Sequence, residues 1–298
     1  MPEIPQTLAQ RLNAFARDIK LSHTVFAMPW AILSAIMAWR VAPENLALKL
    51  GLVVLCMVSA RTVAMSANRL LDARLDALNP RTAGRAIPAG RLGRGFYVGA
   101  LAGCTAVFLV ACALFLMLLG NPWPLILAPP VLAFLAAYPL LKRFTALCHY
   151  YLGAALGLAP VCAWVAVAGR IEAPPLLMGL AVLLWTAGFD IIYAAQDYWS
   201  DRQTGVVSLP VRLGIGQSLW VARATHAACL AALAALGASA QPLAALYWIG
   251  VGAAALLLIV EHALVRADDL SKVNVAFFTV NGIISVLVGT LGVVDVLT

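Results

Sequence analysis

The sequence predicts an all-α, polytopic membrane protein with nine transmembrane helices. Three observations carry that expectation. Of 298 residues, 63% are hydrophobic and 11% are charged, against roughly 45–50% and 25% in soluble domains. The apolar residues gather into long runs, each near the roughly 20 residues that cross about 30 Å of hydrocarbon as a helix. None of the chain alternates strictly between apolar and polar positions, which excludes an outer-membrane barrel.

A polar, amphipathic stretch with Arg11, Arg17, Asp18 and Lys20 precedes the first apolar segment, about 22–40. It offers no small-residue cleavage site, so a signal peptide is not expected. The second segment, 46–66, runs straight into the polar stretch that starts at Asn68. The third, 95–119, opens after Arg94 and closes at Gly120-Asn-Pro, and the fourth, 123–141, stops at Lys142-Arg143. The fifth, 147–169, stops at Gly169-Arg170, and the sixth, 174–198, begins on Pro174-Pro175 and ends among Asp197 and Tyr198. Proline suits a helix start because its missing N–H would have no partner there. The last three segments cover 217–238, 242–264 and 274–297.

Nine spans put the termini on opposite sides, and the basic residues choose which side is which. With the N-terminus inside, the loops on that side hold Arg69, Arg74, Arg81, Arg85, Arg91, Arg94, Lys142, Arg143, Arg202, Arg212, Arg266 and Lys272. The opposite loops hold only Arg40, Lys49 and Arg170. A cytoplasmic N-terminus follows. This asymmetry accounts for most of the net charge of +7, and no basic patch outside these loops supports a nucleic-acid partner.

Carboxylates are scarce, yet two Asp-x-x-x-Asp pairs stand where apolar segments run out: Asp72/Asp76 and Asp197/Asp201. An aspartate in the membrane costs about 2.5–3.5 kcal/mol on insertion scales, and a helix C-terminus disfavours anions further. Solvated helix ends would explain one pair. A bound cation explains both, since magnesium usually bridges one or two carboxylates to a phosphorylated substrate. On a helix, Asn68, Asp72 and Asp76 share one stripe, and Asp190, Asp197 and Asp201 are expected to share another.

The polar stretches 68–94 and 197–216 each begin with an aspartate pair and continue into turn-rich sequence, Asn79-Pro80 and Ala83-Gly84 in one, Thr204-Gly205 and Leu209-Pro210 in the other. They suggest a single domain over 1–298 built from pseudo-repeat halves, about 22–141 and 147–264, plus a final helix. Arginines crowd the first aspartates. Guanidinium forks beside metal-bound carboxylates describe a diphosphate site; topology and headgroup contact are the simpler roles, preferred for Arg91 and Arg94 but not for Arg81 and Lys142. The cysteines at 56, 104, 112, 148, 162 and 229 are scattered without C-x-x-C spacing and read as packing residues in a reduced setting. His23 and His149 fall near cytoplasmic helix ends, where they would border a cavity; His226 and His262 read as packing or interfacial residues.

Three motifs carry a resemblance. Asn68-x3-Asp72-x3-Asp76, followed by Pro80-Arg-Thr82, Arg85 and Pro88-x-Gly90, resembles the first signature of the UbiA superfamily of intramembrane prenyltransferases. Asp190-x2-Tyr193-x3-Asp197-x3-Asp201, with Gly205, Ser208 and Val211-Arg-Leu-Gly214, resembles the second. Tyr138-Pro-x-x-Lys142-Arg143-x-Thr145 is similar to the loop between the fourth and fifth helices. One departure is visible: the common signature begins Asn-Asp, whereas Arg69 follows Asn68 here, which leaves the first ligand set open. The Asn-Arg form, with His23-Thr-x-Phe-Ala-x-Pro, is similar to the bacterial 4-hydroxybenzoate polyprenyltransferase-like branch, which includes the enzyme prenylating a dihydroxynaphthoate on the futalosine route to menaquinone.

The resemblance implies a cytoplasm-facing central cavity closed by the two polar loops, in a bacterial inner membrane. It implies Mg²⁺ on Asp72, Asp76, Asp197 and Asp201, holding a polyprenyl diphosphate with help from Asn68, Arg81, Arg85, Lys142 and Arg143. The donor tail would lie among membrane lipid, and an aromatic carboxylate of the 4-hydroxybenzoate or dihydroxynaphthoate type would accept the chain for ubiquinone or menaquinone biosynthesis. Asp190 is the candidate for orienting or deprotonating the acceptor phenol, its simpler role being a polar lock between helices. Tyr138, Tyr193 and Trp199 are candidates for cation–π stabilisation of an allylic cation, or plain membrane-belt residues. A secondary transporter is the alternative, although such sites sit near the bilayer midplane rather than at helix ends. A lipid phosphotransferase of the CDP-alcohol type would need an Asp-Gly-x2-Ala-Arg run that the sequence lacks.

Overall fold

A computed structural model of the chain describes residues 7–20, 24, 26–241 and 243–298; His23 lies outside the described residues. Twelve α-helices occupy them: α1 Leu8–Asp18, α2 Met28–Val41, α3 Leu46–Leu78, α4 Arg94–Leu119, α5 Trp123–Leu141, α6 Cys148–Ala168, α7 Ala173–Ala194, α8 Tyr198–Thr204, α9 Leu209–Leu213, α10 Ile215–Ser239, α11 Ala245–Leu264 and α12 Asn281–Leu297. A 3₁₀ turn over Ala195–Asp197 joins α7 to α8, and a π-helical turn over Val275–Val280 leads into α12. Eight of the helical runs are long and apolar enough to cross a membrane.

The first apolar segment, expected over 22–40, is the exception. Its helix α2 covers only Met28–Val41, 14 residues, or about 21 Å at 1.5 Å per residue, short of the hydrocarbon thickness. Its side chains explain why it is nonetheless ordered: Trp30, Leu33, Ala35, Met37 and Ala38 are all buried. The neighbouring helices, not lipid, surround it. In the opposite sense, the second segment extends twelve residues past its expected end, so that α3 carries Asn68, Asp72 and Asp76 within one unbroken helix.

Close approach of α6 to α7 depends on glycine. A Cβ on Gly157 would lie 2.5 Å from the carbonyl oxygen of Gly179, well inside contact distance, and small residues are what bring membrane helices together when lipid supplies no hydrophobic drive. Val110, Met117, Leu118, Ile126, Leu256 and Ile259 are exposed on the outside of the bundle, an apolar surface suited to lipid. Trp30, Trp185, Tyr247 and Phe115 fill its core.

One polar cluster sits inside that core. Trp185 Nε1 donates to Asn281 Oδ1 at 2.6 Å, and Asn281 Nδ2 donates to Glu261 Oε1 at 2.9 Å and to the Ala276 carbonyl at 3.1 Å. The last bond bridges the π turn, a distortion that often marks functional segments. It turns Phe277 onto Tyr193, with ring centroids 4.1 Å apart, at the end of the bundle where the aspartates lie. His226 and His262 pair nearby at 3.0 Å and pack between helices, as expected from the sequence.

Candidate active site

The polar ends of α3, α5, α6 and α7 meet at one end of the bundle, and the stretches 79–93 and 205–213 cap it. Asp72 and Asp76, on successive turns of α3, are buried. Asp72 Oδ2 accepts from Lys142 Nζ at 2.6 Å and from Asn68 Nδ2 at 2.9 Å, and Arg143 stands 3.8 Å from Oδ1. Asp76 Oδ1 accepts from Arg85 Nη1 at 2.7 Å. Residues that sequence reasoning assigned to a diphosphate thus gather on the first aspartate pair.

The first cap reaches across to the second pair. Asn79 forms a side-chain turn by accepting the Arg81 backbone N–H at 2.9 Å, and its Nδ2 donates to Asp197 Oδ1 at 2.9 Å. That turn aims Arg81 so that Nε and Nη2 grip both oxygens of Asp197 at 2.8 and 2.5 Å, while Nη1 donates to the Tyr193 hydroxyl at 2.8 Å. A two-pronged grip of this kind is the strong form of an ion pair. Although partial burial works against its charge, the hydrogen bonds and charge of Asp197 and the neighbouring Tyr193 and Asp76 hold Arg81 above the ordinary arginine range.

The expected single stripe of Asp190, Asp197 and Asp201 is broken. Helix α7 tightens into the 3₁₀ turn at Ala195–Asp197 before α8 begins, and three residues per turn in place of 3.6 rotates the side chains beyond it. Asp201 makes no ion pair among the described residues, and no group of three or more metal-ligating side chains forms there. What the fold does leave open is Asp72 Oδ1 and Asp76 Oδ2, both buried without a hydrogen-bond partner. Two free carboxylate oxygens on adjacent turns are ligands of the type a hard divalent cation takes.

Arg69, the departure from the signature, points away from this cluster. Its Nε donates to Asp18 Oδ2 at 3.0 Å and its Nη2 to the Asp18 carbonyl at 2.7 Å, with both side chains almost fully buried. Its Nη1 donates to Asn68 Oδ1 at 2.5 Å, which turns the Asn68 amide nitrogen toward Asp72. Asp18 also accepts from Tyr97 and from the backbone of Ala86, so it ties α1, α3, α4 and the first cap together. Arg69 is a structural cation, and its partner in α1 could not be read from local spacing. Trp199 is 68% exposed and contributes no wall to the site; Arg91 binds the Gly84 carbonyl within its own loop.

His149 is the residue whose part the sequence left undefined. It is buried at the start of α6, with Nδ1 2.7 Å from Asp190 Oδ2 and Nε2 3.3 Å from the backbone nitrogen of Leu209. Lys20 lies at the other side of the mouth, its Nζ 4.4 Å from the Phe278 ring centroid. Burial first, then Arg81, Arg85 and Arg69, push its pKa down to about 8. Beneath this end an apolar cavity runs between α3, α4, α5 and α6 and the chain just before α2, lined by residues such as Met57, Phe108, Leu135 and Leu156, with Tyr138 and Arg61 on its wall. Charge at one end and hydrocarbon-like space behind it describe a site for an amphiphile with an anionic head.

Comparison with known proteins finds relatives along most of the chain. The chain is 29% identical over 281 residues to a 4-hydroxybenzoate octaprenyltransferase of Methylobacillus flagellatus, covering 91% of this chain and 90% of that protein. It is 33% identical over 206 residues to the enzyme of the same name in Tolumonas auensis, 69% of this chain and 70% of that protein. The apo structure of a UbiA homolog from Aeropyrum pernix K1 superposes with a TM-score of 0.82 at 31% identity, over 92% of this chain and 98% of that one. A UbiA homolog from Archaeoglobus fulgidus bound to DMAPP and Mg²⁺ shares the fold at 17% identity and a TM-score of 0.67, over 95% and 99% of the two chains. With the model of the UbiA prenyltransferase family matching residues 27–283, the chain belongs to that family.

Proposed function

We propose that the protein transfers a polyprenyl group from polyprenyl diphosphate to an aromatic acceptor of the 4-hydroxybenzoate type in quinone biosynthesis, in a magnesium-dependent reaction. One observation carries the reading: Lys142, Arg85 and Arg81 each rest on an aspartate, and Lys142 stands one helical turn from Tyr138 on the wall of an apolar cavity. Such pairs are ready for exchange. A diphosphate would draw the cations from the carboxylates, which, with the unpartnered oxygens of Asp72 and Asp76, would then be available to hold a divalent cation. Asp72, Asp76, Asp197 and Asp201 would hold Mg²⁺, while Asn68, Arg81, Arg85, Lys142 and Arg143 hold phosphate oxygens.

When bound, magnesium offsets the charge that develops on the departing diphosphate. The chain's own residues do the rest. The cavity excludes water from the allylic cation, and the ring of Tyr193, braced by Phe277 and covered by the Arg81 guanidinium 4.9 Å from its centroid, would face that cation once Arg81 turns to the diphosphate. The acceptor's ring carbon beside its hydroxyl forms the new C–C bond as the C1–O bond to diphosphate breaks with its electron pair. Asp190 takes the hydroxyl proton as the ring carbon attacks, the released diphosphate takes the ring proton, and Asp190 returns its own proton to the oxygen as aromaticity is restored. The basic loops favour a cytoplasmic mouth in a bacterial inner membrane, with the donor tail continuing from the cavity into lipid. The halves, about 22–141 and 147–264, read as a diverged duplication in which each contributes one aspartate pair.

The test uses purified protein, Mg²⁺, prenyl diphosphates of several lengths and a panel of 4-hydroxybenzoate and dihydroxynaphthoate, with products identified by mass spectrometry. Transfer should vanish in Asp72→Ala and Asp197→Ala and on chelation of the metal. Near-normal turnover in both variants would refute the assignment, and a product formed only from the naphthoate would move the acceptor to the bicyclic class.

A further inference from the structure

The contacts of His149 reach beyond the diphosphate site. A backbone N–H only donates, so the Leu209 N–H 3.3 Å from His149 Nε2 requires a lone pair there. The imidazole proton is then on Nδ1, directed at Asp190 Oδ2 2.7 Å away; which nitrogen is protonated is set by the bond the other one makes. Oδ2 of Asp190 is therefore the acceptor of that bond and is held in place by it. The Asp190 side chain is 22% exposed whereas that of His149 is 3% exposed, and the second oxygen of Asp190 has no hydrogen bond among the described residues. Leu209 begins α9, and the stretch of chain before it is fixed to the same corner: the Val207 N–H donates to the Lys142 carbonyl at 2.7 Å, and the Cys148 thiol contacts the Val207 carbonyl at 3.6 Å. Histidine thus joins the second cap to Asp190, the carboxylate on α7 ahead of the second aspartate pair.

We propose that His149 is a positioning residue for the acceptor's base: its Nδ1–H orients Asp190 so that the free oxygen faces the acceptor hydroxyl, and its Nε2 couples that alignment to the seated second cap. The inference rests on the reading of Asp190 as that base. The proton that Asp190 takes from the hydroxyl stays on the carboxylate while the C–C bond forms, and His149 keeps its own proton throughout. Holding is its whole contribution, because Nδ1–H already satisfies the oxygen that it faces. A carboxylate left to rotate would spend much of its time paired with other donors at the mouth, where Arg81 and Lys142 stand.

Three substitutions separate the two contacts. In His149→Asn the amide nitrogen falls near the position of Nδ1 and can still donate to Asp190, but nothing reaches Leu209. In His149→Gln the amide oxygen falls near Nε2 and can accept from Leu209, but nothing donates to Asp190. In His149→Phe both are gone. Steady-state kinetics with the acceptor and polyprenyl diphosphate should show kcat down about 100-fold in His149→Phe and His149→Gln, the lower end of what a well-placed base supplies. In His149→Asn kcat should recover at least about tenfold over His149→Phe, while KM for the diphosphate stays within about threefold of wild type in all three.

Equal kcat in the asparagine and glutamine variants, or a phenylalanine variant within about threefold of wild type, overturns the proposal. So does a diphosphate KM that rises in step with the loss of kcat, since a merely structural histidine would disturb both. Asp190→Asn is measured alongside. If it keeps full activity, the base assignment fails and this inference falls with it; if it is inactive while His149→Phe turns over normally, this inference alone fails. A wild-type protein that prenylates no phenolic acceptor overturns the parent reading instead, and the two failures are distinct.

Discussion

Asp18→Ala tests the latch that Arg69 makes with the first helix. The Asp18 carboxylate accepts from Arg69 Nε at 3.0 Å, from the Tyr97 hydroxyl at 2.5 Å and from the Ala86 N–H at 2.7 Å, with Arg69 and Asp18 side chains only 3% and 4% exposed. Removing one partner of a buried ion pair costs about 3–5 kcal/mol, because the other charge is left without compensation. Each further buried donor left unpaired costs about 1–3 kcal/mol. The three losses share one carboxylate and do not add in full, so the expected total is roughly 4–6 kcal/mol. Conversion at about 2–4 °C per kcal/mol, the range for chains of 150–250 residues, gives a fall in Tm of roughly 10–20 °C.

The assay is thermal unfolding of the purified protein in detergent, with Asp268→Ala as the control. Asp268 pairs with Arg266 in the open, both side chains 72% exposed, where such a bridge is worth at most about 1 kcal/mol. Limited trypsin digestion supplies a second reading, since loss of the Ala86 anchor frees the first cap and its cleavage sites at Arg81, Arg85 and Arg91. A Tm within about 2 °C of wild type, or equal shifts in the two variants, would refute the latch. The replacement of both partners, Asp18→Leu with Arg69→Met, should recover part of the loss, because no unpaired charge remains.

The site and its support give two further expected outcomes. Lys20 carries a pKa of about 8, below the ordinary 10.5; its folded form therefore binds fewer protons than the unfolded chain between those values, and stability rises with pH through that window. A bound diphosphate favours the charged lysine, so KM for the donor should climb as pH passes 8 in wild type and stay flat in Lys20→Met, and identical pH profiles would count against a lysine at the mouth. Gly153→Ala would bring a Cβ to 2.3 Å from the Leu183 carbonyl oxygen, forcing α6 from α7 at a cost of about 1–3 kcal/mol or more. Lower Tm and lower kcat are expected there, since α7 carries Asp190 and Tyr193, whereas Gly103→Ala, with nothing within 4 Å of its Cβ, should leave both unchanged.

Much of this molecule is written in local sequence. A run of apolar residues must form a helix in lipid because no water is available to satisfy its backbone, so the spans follow from composition and length alone, and the penalty on aspartate at helix ends marks both pairs as functional candidates. Local reasoning fails where one contact depends on a distant turn of chain. Whether α7 stays straight to Asp201 was set by a 3₁₀ turn that no proline announces. That α2 is only 14 residues long reflects the helices packed around it, which replace lipid as its surroundings.

The sequence by itself determined the membrane-embedded helical class and singled out the two aspartate pairs, because periodicity and desolvation act on neighbouring residues. Only the tertiary structure decided which cation rests on which carboxylate: Lys142 on Asp72, Arg85 on Asp76, Arg81 on Asp197 and Arg69 on Asp18. It alone brought His149 to Asp190, 41 residues apart in the chain. Coulomb attraction and hydrogen bonding select partners by distance in space, and in a bundle that distance is fixed by helix packing rather than by position along the sequence.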